Sequence, residues 1–158
     1  DSFRNTEFFL DTVSTTKAKK IISKIGRFHT IKPNKIEAEL LSGISIETQD
    51  DLERASDYFL DKGVQRVFIT LGSKGVFYSD GSVSELIPNP KVDVVNATGA
   101  GDAFVAALAF SRFNNYDIRK SAHFSMAASI LTLGHEDTIN PNISRENINK
   151  TMKETGLC

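Results

Sequence analysis

The 158-residue sequence predicts an α/β fold: a mostly parallel sheet covered by helices on both faces, with an antiparallel hairpin near one edge. Three observations predict it. Short β-forming runs alternate with helical patterns through the first half, and two such runs are joined by the turn pair Asp80-Gly81. The second half is a succession of helical patterns, of which Ala100 to Phe113 is apolar on almost every face and so reads as a helix buried within the fold.

Taken in order, Glu7 to Asp11 reads as a short buried strand ending in a carboxylate, and Thr15 to Ile25 as a helix closed by Gly26. Phe28 to Ile31 is the next strand, stopped by Pro33. Asn34 then caps a short helix carrying Ile36, Ala38, Leu40 and Leu41 up to Gly43. Asp50 to Leu60 is a longer helix, with Leu52, Ala55, Tyr58 and Phe59 at helical spacing and Gly63 as its stop. Arg66 to Leu71 is strongly β-forming, and Val76 to Tyr78 with Val83 to Ile87 makes the hairpin. Val92 to Val95 is expected to add one more short strand. After Ala100 to Phe113 come two more helices, Asp117 to Leu133 ended by Gly134, and Ser144 to Lys153. Tyr58, Phe104 and Phe110 are expected in the core. No repeat, low-complexity tract or linker divides the chain, so residues 1–158 are expected to form part of one domain.

Composition narrows the function classes. With 19 basic and 20 acidic side chains interspersed, no stripe exists to track a nucleic-acid backbone. No apolar stretch approaches the roughly 18 residues of a membrane span. The single cysteine, Cys158, is the last residue, which rules out an internal disulfide and favours a reducing compartment. A soluble, cytoplasmic protein that binds neither nucleic acid nor membrane is expected, and His29, His123 and His135 share no metal-ligand spacing. The start, Asp1-Ser2-Phe3-Arg4, has neither an initiator Met nor a signal-peptide shape, and the expectation is that the chain was preceded by more sequence.

Chemistry concentrates in Val95-Asn96-Ala97-Thr98-Gly99-Ala100-Gly101-Asp102, where an expected strand meets a helix through a turn with almost no side-chain bulk. The unpaired amides and positive dipole end of that helix make a seat for an anion such as a transferring phosphoryl group. A carboxylate beside such a seat repels phosphate, and Asp102 is explained if it accepts the proton of an attacking hydroxyl. The alternative is that Asp102 only favours the helix dipole and the glycines only make a tight turn.

Asn96 to Asp102 resembles the Asp-Thr-x-Gly-Ala-Gly-Asp signature of the ribokinase or PfkB-type sugar and nucleoside kinases, with Asn96 and Ala97 as departures. Pro33-Asn34-Lys35-Ile36-Glu37 is similar to that family's Asn-x-x-Glu element, and Thr70-Leu71-Gly72-Ser73-Lys74-Gly75 to its Thr-x-Gly-x-x-Gly turn. The three occur in the family's order on the expected strand ends. Lys74 does not make a Walker A loop, since the Gly-x-x-x-x-Gly-Lys-Ser/Thr spacing and the following helix are missing.

The resemblance implies a ribokinase-like fold and ATP-dependent phosphoryl transfer to an alcohol, with Asp102 as the base and Gly99, Ala100 and Gly101 holding the transferring group. It implies that Asn34, Thr70, Gly72 and Gly75 lie against the nucleotide, that Met126 lines the adenine, and that Glu37 serves Mg²⁺ through waters. Asn96 stands where relatives use an aspartate near a K⁺ site; it keeps one oxygen but not the charge. Without the resemblance, Asn34 is a helix cap, Glu37 its capping-box partner, and Met126 ordinary helix packing. Family members are about twice this length, so the chain is expected to be the C-terminal part, with the lid and most acceptor-binding residues upstream. The segments Asp11 to Ala18 and Glu136 to Ser144, with Asn96, favour pseudouridine as acceptor; ribose, fructose or adenosine, or a nucleotide-binding module without turnover, are the alternatives. Ser14 or Thr15 as a helix cap would equally explain the first of those segments. A homodimer is the assembly expected.

Overall fold

In this computed structural model the described residues are 6–12 and 19–157, and the chain divides into two compact units, Asp1–Ile87 and Pro88–Cys158. Ser14, Thr15, Lys17 and Cys158 lie outside the described residues.

The first unit is built on a sheet of five strands, β1 (Phe9–Asp11), β2 (Thr30–Lys32), β3 (Arg66–Thr70), β4 (Val76–Ser79) and β5 (Ser84–Ile87), ordered as in the sequence. β1, β2 and β3 run parallel, whereas β3, β4 and β5 pair antiparallel. The sheet is therefore mixed, parallel through β1, β2 and β3, with the expected antiparallel hairpin at one edge. Its tip is built by Asp80, whose Oδ1 accepts from the backbone N–H groups of Ser82 and Val83.

Helices α1 (Lys35–Ser42) and α2 (Gln49–Asp61) connect β2 to β3. Each starts with a full capping box, Asn34 with Glu37 and Thr48 with Asp51, in which a side-chain oxygen satisfies an orphan amide in both directions. Alternation along the strands sends Ile31, Val67, Ile69 and Phe77 to one side, where they form a single core with Ala38 and Leu41 of α1 and Leu52, Ala55 and Phe59 of α2. Tyr58 packs at the margin of this core. Phe68 and Tyr78, on the opposite side of the sheet, are also fully buried, with ring centroids 6.3 Å apart.

The helix expected over Thr15 to Ile25 is, in its described part, a 3₁₀ helix, Lys19–Arg27. Gly26 lies inside it and does not stop it. A Cβ on Gly26 would fall 1.7 Å from the Lys62 carbonyl oxygen, so glycine is needed there because two backbones cross closely.

In the second unit, α3 (Ala100–Phe113), α4 (Ile118–Leu133) and α5 (Arg145–Thr155) pack in sequence, α3 on α4 and α4 on α5. Val92 to Val95 is not a strand. Val94 and Val95 are more than half exposed, and the amides of Val95 and Asn96 both donate to the Leu133 carbonyl at the end of α4, which takes them out of any ladder. α3 has the expected bounds but not the expected burial. Phe104, Ala107, Leu108 and Ser111 are buried, whereas Phe110 is 38% and Phe113 87% exposed. Phe110 still stacks on Phe124 at 5.5 Å, beside an apolar cleft of about 250 Å³ formed with Ile143 and Ile148.

Candidate nucleotide and phosphoryl site

Two clusters of functional side chains form, one in each unit. In the first, the carboxyl ends of β1, β2 and β3 bring Asp11, Asn34 and Thr70 to one edge. Asp11 stands opposite Lys32 in the parallel register, and Asn34 forms a parallel bridge with Thr70, whose amide donates to the Pro33 carbonyl at 3.0 Å. Asp11, Asn34 and Thr70 thus share one sheet edge, and the Gly99 turn belongs to the second unit. Beyond Thr70, the turn to β4 is a 3₁₀ segment, Gly72–Lys74, closed by the Leu71 amide donating to the Gly75 carbonyl at 2.8 Å. Gly72 (φ 59) and Gly75 (φ 113) have positive φ, and Gly75 lies in a region open essentially to glycine alone.

The carboxylates at this edge have different partners. Asp11 is paired at 3.0 Å with the ammonium of Lys32, a buried side chain. Glu37 is itself buried and has no cation partner among the described residues. Its Oε2 accepts from the Asn34 amide at 3.0 Å and from the Thr12 hydroxyl at 2.7 Å. No described residue bonds its Oε1. The capping box expected as the plain structural account is thus present, and it leaves one carboxylate oxygen available.

In the second unit, the turn expected to seat an anion is held from both sides. Asn96 Oδ1 accepts from the Thr98 amide at 2.9 Å, and Asn96 Nδ2 donates to the Glu136 carbonyl at 2.8 Å. Gly99 begins α3 with φ 85, and a Cβ there would lie 2.1 Å from the Thr138 carbonyl oxygen. The loop after α4 thus rests directly on the turn. It is fixed in turn by Asn140, a buried residue whose Nδ2 donates to the Leu131 carbonyl at 2.7 Å. From the other side the Ser129 hydroxyl donates to the Ala100 carbonyl at 2.7 Å.

No side chain caps α3, so the amides of its first turn, at Ala100, Gly101 and Asp102, have no partner within the helix. Asp102 is exposed, and no described residue hydrogen-bonds or pairs with it. An uncapped helix end beside a free carboxylate suits an anion and a proton acceptor together. Met126 is buried in α4.

Sequence reasoning missed the contacts of four of these participants. Lys32 and Ser129 belong to no motif, while Thr12 and Thr138 fall in segments singled out only for the acceptor; their partners lie 25, 21, 29 and 39 positions away for Thr12, Lys32, Ser129 and Thr138.

A parallel sheet edge carrying a capped Asn-x-x-Glu, and a glycine turn opening an uncapped helix, are the features that the resemblance singled out. The chain belongs to the pfkB family of carbohydrate kinases, whose profile matches residues 4–145. Among its relatives is the pseudouridine kinase of Escherichia coli, 36% identical over 149 residues, covering 94% of this chain and 48% of that enzyme. A candidate sugar kinase from Clostridium perfringens has a crystal structure that superposes with a TM-score of 0.90 at 44% identity, over 94% of this chain and 47% of that one. Ribokinase from Thermotoga maritima gives a TM-score of 0.78 at 27% identity, over 94% and 50%. The fold is ribokinase-like, and the chain spans about half the length of the relatives it matches. No helix among the described residues is long and apolar enough to cross a membrane.

Proposed function

We propose that this chain is the nucleotide-binding and catalytic part of a kinase that moves the terminal phosphoryl group of ATP onto a hydroxyl of a sugar or nucleoside, with pseudouridine the favoured acceptor. The observation that carries the reading is Asp102, an exposed carboxylate with no partner among the described residues, in the first turn of a helix whose leading amides have no partner within the helix. In this role Asp102 accepts the acceptor alcohol's proton as the oxygen attacks, while the amides of Ala100, Gly101 and Asp102 hold the charge of the transferring group. Gly99 keeps the backbone low enough for the phosphate to approach.

The adenine nucleotide lies, in this proposal, against Asn34, Thr70 and the Gly72 to Gly75 turn, with Met126 toward the base. Glu37 suits a hard cation held through water: it offers a carboxylate oxygen, is short of positive charge, and sits at the same edge. Mg²⁺ there would supply charge neutralisation on the phosphates. A K⁺ ion beside Asn96 belongs to the proposal in a weaker form, because Asn96 Oδ1 already serves the Thr98 amide.

The acceptor preference is supported by the match to pseudouridine kinase, and the match to ribokinase supports ribose as the second choice. The test is ADP release by the full-length protein with ATP, Mg²⁺ and a panel of pseudouridine, ribose, fructose and adenosine. Turnover fastest with pseudouridine is expected. ATP binding without ADP release from any of the four would favour a nucleotide-binding module instead.

A further inference from the structure

We infer that Thr12 is a positioning residue for the magnesium-serving carboxylate, fixing the orientation in which Glu37 presents its other oxygen to the cation; the inference rests on the kinase reading above. Thr12 follows the last residue of β1 and is buried. Its hydroxyl donates to Glu37 Oε2 at 2.7 Å, across 25 positions of sequence. The Asn34 amide donates to the same oxygen at 3.0 Å.

Two donors on one oxygen fix the carboxylate's rotation, and a carboxylate's terminal torsion is otherwise broad and nearly two-fold. The cap alone does less. A capping box needs one contact between the Glu side chain and the cap amide, and the carboxylate plane can still tilt about that contact. The Thr12 hydroxyl is the second point, and it sets the plane and so the direction in which the other oxygen lies.

The neighbouring pair sharpens the assignment. β1 ends Asp11-Thr12, and Asp11 is neutralised by Lys32 at 3.0 Å, while Glu37 has no cation partner among the described residues. Of the two carboxylates at this edge, Glu37 is the one with charge left to offer a divalent cation. The end of β1 therefore has two separate tasks, and Thr12 performs the one that concerns the metal.

The experiment uses the full-length protein and magnesium chloride, with two readouts for each variant. One is the rate against free Mg²⁺ at fixed ATP. The other is the Mg²⁺ concentration giving half of the melting-temperature rise in the presence of a non-hydrolysable ATP analogue, which needs no turnover. Thr12→Val, which keeps the shape and removes the donor, is expected to raise both midpoints roughly ten-fold, the lower end of what the loss of a partner behind a metal-holding group produces. Thr12→Ser is expected to restore both. Thr12→Ala serves in the same way if the valine variant does not fold.

A lowered melting temperature with both midpoints unmoved would overturn the inference, because a merely structural hydroxyl gives that pattern. Glu37→Gln separates the two levels of the argument. Shifted midpoints in Glu37→Gln with unshifted ones in the Thr12 variants would sink the role of Thr12 alone. Unshifted midpoints in Glu37→Gln would remove the magnesium reading, and this inference with it.

Discussion

At the scale of single residues, the glycine that opens α3 is not interchangeable with another small residue. Gly99 combines φ 85 with a neighbouring carbonyl that would lie 2.1 Å from any Cβ, and that neighbour is backbone, which cannot swing aside. Gly99→Ala is expected to displace the loop of Glu136 to Asn140 from the turn and to lower the melting temperature, with a stability loss of about 1–3 kcal/mol from backbone strain alone. Thermal melting of the purified variant checks this, and an unchanged melting temperature would show that the loop yields freely. Glu37→Gln tests a different balance. The amide still accepts the Asn34 and Thr12 hydrogen bonds through its oxygen, so stability should change by less than about 1 kcal/mol while the magnesium response weakens. An unchanged magnesium response with a lowered melting temperature would leave Glu37 as a cap and no more. Residue roles were legible in the sequence where they fall within a few positions of each other. The capping box of Asn34 with Glu37 and the helix start after Gly99 could be read, but Thr138 over Gly99 could not, because contacts between distant segments carry no local pattern.

At the scale of elements, α2 shows how far local rules reach. Its start is given by Thr48 three residues before Asp51, each satisfying the other's amide. Asp51 also meets Arg54, one turn on. That guanidinium, followed by the amides of Glu47 and Thr48, holds the Asp51 carboxyl well below the usual carboxylate range. A depressed folded-state value means that the stabilisation is present above the unfolded value and is lost as pH falls through the folded one. The stability gap between wild type and Asp51→Asn is therefore expected to be open near neutrality and to close in strong acid; a gap independent of pH would contradict the pairing. Thr48→Ala, which removes the cap from the other side, is expected to lose about 1 kcal/mol in denaturant unfolding. Elements went wrong where the deciding contact was distant. Val92 to Val95 has strand composition, but its amides are taken by the end of α4. Composition likewise marked α3 as apolar all round without revealing that Phe110 and Phe113 stay exposed among the described residues.

At the scale of the whole molecule, the parallel strands explain why the motifs lie where they do. Strands that run the same way present their carboxyl ends together, and ligands of open α/β sheets bind there. The order β1, β2, β3 and the bridge between Asn34 and Thr70 put two of the three motifs side by side, although 36 positions separate them in the chain. The alternation of strand and helix made this much legible beforehand. Family membership follows from the match over residues 4–145, and the proposed chemistry centres on Asp102.

The measurement that tests that chemistry most directly is phosphoryl transfer by the full-length Asp102→Asn protein, with ATP affinity and melting temperature taken on the same preparation. The amide keeps the shape of the side chain but cannot take up the acceptor's proton. A fall in rate of about 10² to 10⁴ is expected, with ATP affinity within a few fold and melting temperature little changed. Near-normal turnover, with a loss of stability of about 1 kcal/mol from a weakened helix terminus, would contradict the account and leave Asp102 a partner of the helix dipole alone.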